Sequence, residues 1–243
     1  MHTSNRIIVT AALTSVLLFA PTLGMAQRPA SAPAGSIPRM ADGKPDLSGR
    51  WERPAVLDMS KNGPGQQAPA ELPLTAWAKA NMGEKFDSAG HCLPMGYTRH
   101  INSPFPIEIE QRPDRLVILY EANNTFHIIY TDGRDHPKDL EPTWFGHSIG
   151  KWDGDTLVVD TAGFNEKTMV DTIGHPHGDA LHVIERFTRT DAAHIAYDIT
   201  IEDPKAYTKP WKNVRTFTLQ PDWELMEYVC EENNRDLLEG HIK

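Results

Sequence analysis

The chain has 243 residues and a formal net charge of −9, with 33 acidic side chains against 24 lysines and arginines. Its basic residues are scattered rather than gathered into a patch, which argues against nucleic acid and anionic membrane surfaces as partners. No Gly-rich phosphate loop leads into a helix and no dinucleotide fingerprint occurs, so no cofactor is expected.

Residues 1–26 read as a secretory signal peptide. Arg6 supplies a positive start, Ile7 to Ala20 is apolar, and Gly24-Met25-Ala26 ends in small residues, which predicts cleavage after Ala26. The apolar run is short for a membrane span, and a retained anchor is the alternative. The mature chain is then expected in the periplasm or outside the cell, off the membrane. Residues 27–44 are rich in Pro, Ala, Ser and Gly and predict a flexible lead. Residues 45–232 predict one domain, and 233–243 a charged tail. Cys92 and Cys230 are the only cysteines. In an exported chain such a pair predicts a disulfide. The alternative is two free thiols, one of them a nucleophile, with only His91 nearby to depress its pKa.

Pro45 to Trp51 contains a Gly-x-Trp triplet that enters a first strand. Leu74 to about Phe86 is the one convincing helix, with Thr75 as N-cap and Leu74, Trp77 and Ala78 on one face. His91 to Tyr97 is irregular. From there the pattern alternates with period two over Ile107–Gln111, Arg115–Glu121 and Thr125–Thr131. Trp144 to Thr161 predicts a hairpin about Asp153-Gly154, and Gly146 and Gly150 in its first arm permit a bend or a close approach. Residues 163–179 form a loop. Leu181–Thr190, His194–Glu202, Asn213–Gln220 and Glu224–Glu231 complete the strands. In His194–Glu202, Ile195, Tyr197, Ile199 and Ile201 face one way. A meander of this kind hides its edges by closing, so the expected fold is an all-β antiparallel barrel of about 8–10 strands with one short helix. A two-sheet sandwich is the alternative. Such a barrel can enclose one small ligand.

Four clusters could carry chemistry. With Asp153-Gly154 as the two loop residues, His147 falls opposite Asp160, and a carboxylate that fixes the imidazole tautomer makes a general base. Ser148 points to the other strand face and no Gly-x-Ser-x-Gly motif occurs, so a serine triad is not expected. Asp132, Arg134 and His136 stand together at a strand end, where Arg orients an anion or carbonyl and His moves a proton. Glu185 shares a face with Leu181, Val183 and Phe187. It is either ion-paired, for instance with Arg215, or holds a raised pKa. His175-Pro176-His177 offers a weaker metal alternative. Trp144 and Trp152 are candidate apolar walls, and Tyr97, Arg99 and His182 are candidate ligand contacts.

The segments His91-Cys92-Leu93-Pro94, Tyr130 to Pro137, Gly146 to Thr161 and Leu181 to Phe187 resemble a family of exported bacterial proteins. The resemblance spans roughly Asp46 to Glu232. It implies a lipocalin-like barrel and brings no reaction with it. The residues themselves point to a cofactor-independent acid–base enzyme of lyase or isomerase type. It would act on a small, partly aromatic molecule held in the barrel, with His147 as base, Asp160 as its orienter, His136 in proton transfer and Glu185 as acid. The alternatives are a non-catalytic binding or carrier barrel and a metal-dependent hydrolase built on the histidine loop.

Overall fold

The computed structural model describes residues 36–232 except 84, 85 and 87, together with 234, 235 and 239. The expected signal segment, most of the expected lead and most of the expected tail lie outside the described residues. Strand β1 is Gly49–Glu52, β2 is the two-residue Gln66–Gln67, and two short helices follow, α1 (Ala76–Ala80) and α2 (Tyr97–Asn102). Then come β3 (Ile107–Arg112), β4 (Arg115–Tyr120), β5 (Thr125–Tyr130), β6 (His147–Asp153), β7 (Thr156–Ala162), β8 (His182–Arg189), β9 (His194–Glu202) and β10 (Trp211–Leu219). Neighbours run β1-β3-β4-β5-β6-β7-β8-β9-β10, and β10 returns to β1 through Trp51 opposite Leu219. This closes a nine-strand barrel. A sandwich is therefore excluded. Strand β2 shares the seam edge of β10 with β1.

The expected barrel is present, but it is not wholly antiparallel. Strands β5 and β6 run parallel, with Ile129 opposite Ser148 and Tyr130 opposite Ile149. A parallel pair cannot be joined by a tight hairpin. Residues 131–146 make the crossover, an excursion that carries Pro137 and Pro142. Gly150 sits at this junction, where a Cβ would come within 3.0 Å of Ile129 and 3.1 Å of Thr131.

The hairpin β6–β7 forms, one residue off the expected turn. Gly154 has φ +60° and no other residue of the turn lies at positive φ. Glycine therefore occupies the first central position, as a type II′ turn requires. Asp153 pairs with Thr156, and His147 faces Ala162 rather than Asp160.

Burial alternates along β7, β8, β9 and most of β10, whereas β6 buries three residues in a row, Ser148 to Gly150. Ile195, Tyr197, Ile199 and Ile201 all point inward. The space between the staves is occupied by this core and by α2, all six of whose residues are buried. Helix α1 is shorter than expected. The Thr75 hydroxyl accepts the Ala78 N–H at 3.1 Å as predicted, and the helix ends at Asn81, whose N–H closes on Ala78 and Trp77 carbonyls. Helix α2 was hidden by its sequence, since a six-residue helix buried all round carries no amphipathic stripe. Residues 224–231 are not a strand. They run as an irregular strap, held by Met226 N–H on Glu121 and by a two-way clasp between Asn124 and Tyr228. The predicted disulfide between Cys92 and Cys230 fastens the end of this strap. Residues 36–44 are tied at the hairpin tip, where the Arg39 guanidinium holds Asp155 at 2.6 and 2.9 Å.

Candidate functional site

Glu185 enters the barrel interior from β8 with no exposure. The hydroxyl of Tyr97 on α2 donates to one carboxylate oxygen at 2.6 Å, and Tyr197 on β9 donates to the other at 2.6 Å. Burial pushes the Glu185 pKa up to about 7, against the pull of both hydroxyls and of the Arg215 charge. Arg215 makes no ion pair with it. That guanidinium donates instead to Asn213 Oδ1 and the Ile101 carbonyl. The same burial, with Glu185 beside them, drives both tyrosine pKa values far above normal. Tyr97 is thus an interior donor, and Arg99 beside it is buried too. Next to them His127 Nε2 meets Ser148 Oγ at 2.6 Å, which meets Thr161 Oγ1 at 2.6 Å. Desolvation takes His127 down to about 3, so it stays neutral.

His147 and Asp160 point away from this interior. Ser148 and Thr161, their neighbours along β6 and β7, are the buried ones, and 43% of the Asp160 side chain is exposed. The direct dyad is replaced by a longer chain of contacts on the outer wall. His136, from the crossover, lies between the two: Nδ1 to His147 Nδ1 at 2.8 Å, Nε2 to Asp160 Oδ1 at 3.1 Å. His182 at the start of β8 reaches the same Asp160 oxygen through Nε2 at 2.8 Å and Glu202 through Nδ1 at 3.1 Å. A ring whose two nitrogens both face carboxylates is held as imidazolium. Desolvation opposes this, but Asp160 and Glu202 together raise the His182 pKa. Partial burial likewise works against ionised Asp160, and His182 and His136 outweigh it, leaving its pKa lowered. His147 is shifted down, first by desolvation, then by His136 and Arg134.

The predicted Asp132–Arg134–His136 cluster separates. Asp132 and Arg134 pair with each other through two nitrogens of the guanidinium. The guanidinium also lies 3.9 Å from the Tyr130 ring. Both belong to a solvated turn, and only His136 joins the outer-wall group. His175 and His177 diverge as well. His175 Nδ1 bonds Asp171 at 2.6 Å. One oxygen each of Asp171 and Asp58 lies within 4.8 Å of it. Both Asp171 oxygens are already taken by the Met59 and His175 N–H groups and the His175 ring, so this group acts as a loop clasp.

His177 turns to a cleft instead. A half-open cavity of about 550 Å³ is walled by Trp77, Phe86, Leu93, Trp144 and Met169, with Asn81, Glu166, Lys167, Thr168 and His177 as its polar edge. The His177 ring donates from Nδ1 to the Gly178 carbonyl at 2.9 Å, which leaves Nε2 as an acceptor, met by Thr168 Oγ1 at 3.1 Å. Burial lowers its pKa, so the ring is neutral. Lys167 lies 5.6 Å from the Trp144 ring, and Lys205, paired with Glu166, lies 4.8 Å from Trp77. Of the predicted ligand contacts only Trp144 reaches this cleft. Trp152 packs against the barrel core instead. The other walls come from α1 and two loops far apart in the chain, and nothing in their local spacing marks them as neighbours. No family model matches the sequence, and no curated protein matches it.

Proposed function

We propose that this protein is an exported small-molecule-binding barrel whose ligand, a small and partly aromatic molecule, sits in the cleft between Trp77 and Trp144. One observation carries this reading: large apolar and aromatic side chains converge on a half-open cavity of about 550 Å³ with only a few polar groups at its edge. Ligand sites usually have this volume and this balance of walls to donors. Lys167, 5.6 Å from the Trp144 ring, suits a carboxylate on an aromatic ligand. The test is tryptophan fluorescence titration of the full chain with a panel of hydroxylated aromatic acids. Trp144→Ala should weaken binding roughly tenfold or more, as loss of a buried aromatic wall does. Equal affinity in wild type and Trp144→Ala rejects the cleft.

A second reading, an acid–base enzyme of lyase or isomerase type, draws on the continuous run Glu202–His182–Asp160–His136–His147. His147 is its terminal base, and Asp160 acts on it through His136. Under this reading His147→Ala abolishes turnover of a bound ligand while the thermal melt is unchanged. Full turnover in that variant removes the reading.

A further inference from the structure

We infer that the outer wall of the barrel holds an open site for a borderline divalent cation, Zn(II) or Cu(II), whose protein ligands are Nδ1 of His136 and Nδ1 of His147. The two nitrogens lie 2.8 Å apart. Adjacent nitrogens about 90° apart on a tetragonal Cu(II) stand this close, tetrahedral Zn(II) would open them to roughly 3.3 Å, and two bare lone pairs at this distance need a proton or a cation between them.

The surroundings favour the cation. His136 gives its Nε2–H to Asp160, which fixes the tautomer with Nδ1 bare and facing His147. A carboxylate behind an imidazole is the usual outer partner of a metal-bound histidine; it orients the ring and raises its basicity. Asp160 is in turn held by His182 at 2.8 Å, and His182 by Glu202. Two carboxylates thus stand behind the His136 ring, with His182 bridging them. Both ligating rings are held in place by their surroundings. His147 opens β6 directly after Gly146, and its ring stacks on Tyr130 at 5.6 Å between centroids. His136 lies in the crossover, pinned at both ring nitrogens. The His136 side chain is 23% exposed, so an ion has a route in and room for water or an exogenous ligand at its remaining positions. Imidazole nitrogens select zinc and copper over magnesium and calcium. Arg134, stacked on Tyr130, is the nearby cation that opposes the site, and Asp132 neutralises it.

The site is tested on the full chain after chelator treatment, by calorimetric titration with ZnCl2 and by electron paramagnetic resonance after one equivalent of Cu(II). The expected result is one equivalent bound with a Kd below about 100 µM and copper hyperfine structure from two imidazole nitrogens. His147→Gln and His136→Gln, which keep side-chain bulk, should each weaken binding at least tenfold. Asp160→Asn should weaken it by about 10- to 100-fold, as loss of an outer carboxylate does. His194→Ala, a surface histidine paired with Asp191, is the control and should bind as wild type. Matching melting curves show that the variants are folded. Wild-type binding weaker than that limit, or unchanged affinity in either glutamine variant, overturns the site and leaves His136 and His147 as a proton-sharing pair.

Discussion

At the scale of single residues, Glu185 decides how the barrel interior responds to pH. Its carboxyl titrates near 7 in the fold against 4.5 for an ordinary glutamate. Between those values the native state keeps a proton that the unfolded chain has released. The contribution of this one group to stability therefore falls as pH rises through that window, by roughly 3 kcal/mol in all. Glu185→Gln should remove that contribution, so that the variant loses roughly 3 kcal/mol more than wild type on going from about pH 8 to about pH 5, read from urea midpoints. Tyr197→Phe removes one of the two hydroxyls that support the ionised form. It should cost about 1–3 kcal/mol at high pH and less at low pH, where the carboxyl is protonated. The sequence showed that Glu185 faces inward among apolar neighbours. It could not show that two tyrosines, from 88 and 12 residues away, would take the place of an arginine.

At the scale of elements, the β6–β7 hairpin rests on two glycines with different demands. Gly146 has φ +68°, and a Cβ there would come within 2.7 Å of the Ala162 carbonyl oxygen. Gly154 has φ +60° with open space around it. Gly154→Ala should thus cost only the left-handed strain, about 1 kcal/mol. Gly146→Ala adds a backbone clash and should cost about 2–3 kcal/mol or more, both read from urea unfolding midpoints. The C-terminal strap depends on its disulfide in the same direct way. The bridge spans 138 residues, for which chain entropy sets an upper value of about 5 kcal/mol. Few other bonds hold the strap, and Met226 is 70% exposed. Cys230→Ser should lower stability by about 2–5 kcal/mol, and limited proteolysis should then cut first within residues 221–232.

At the scale of the whole molecule, two buried histidines oppose Glu185. Burial lowers His100 to about 4 and His127 to about 3, against 6.5 for an exposed imidazole. Below 6.5 the unfolded chain binds protons that the native state refuses, so stability falls as pH drops. From 6.5 to about 4.5, Glu185 offsets part of the loss, since its own contribution grows on acidification. Between about 4.5 and about 4 that offset is spent while His100 and His127 both count against the fold, and below about 4 only His127 does. The melting temperature should therefore decline gently from about pH 6.5 to about pH 4.5 and most steeply between about 4.5 and about 4. Scanning calorimetry across this range checks the break. A single uniform slope would mean that these three groups do not titrate as their burial dictates.

Period-two alternation, turn residues and the two cysteines made the barrel, the division of each strand into two faces and the disulfide legible from the chain alone, because each is set by neighbours a few residues apart or by simple pairing. The alternation also placed Ser148 and His147 on opposite faces. What it could not assign was which face becomes the inside, since that depends on how the sheet closes. Closure put His147 and Asp160 on the outer wall, and a one-residue change of turn put His136 between them. The parallel β5–β6 pair, the buried α2 and the cleft between Trp77 and Trp144 were decided by tertiary structure. They join segments dozens of residues apart, and long-range packing, unlike local periodicity, leaves no regular mark on the residues that make it.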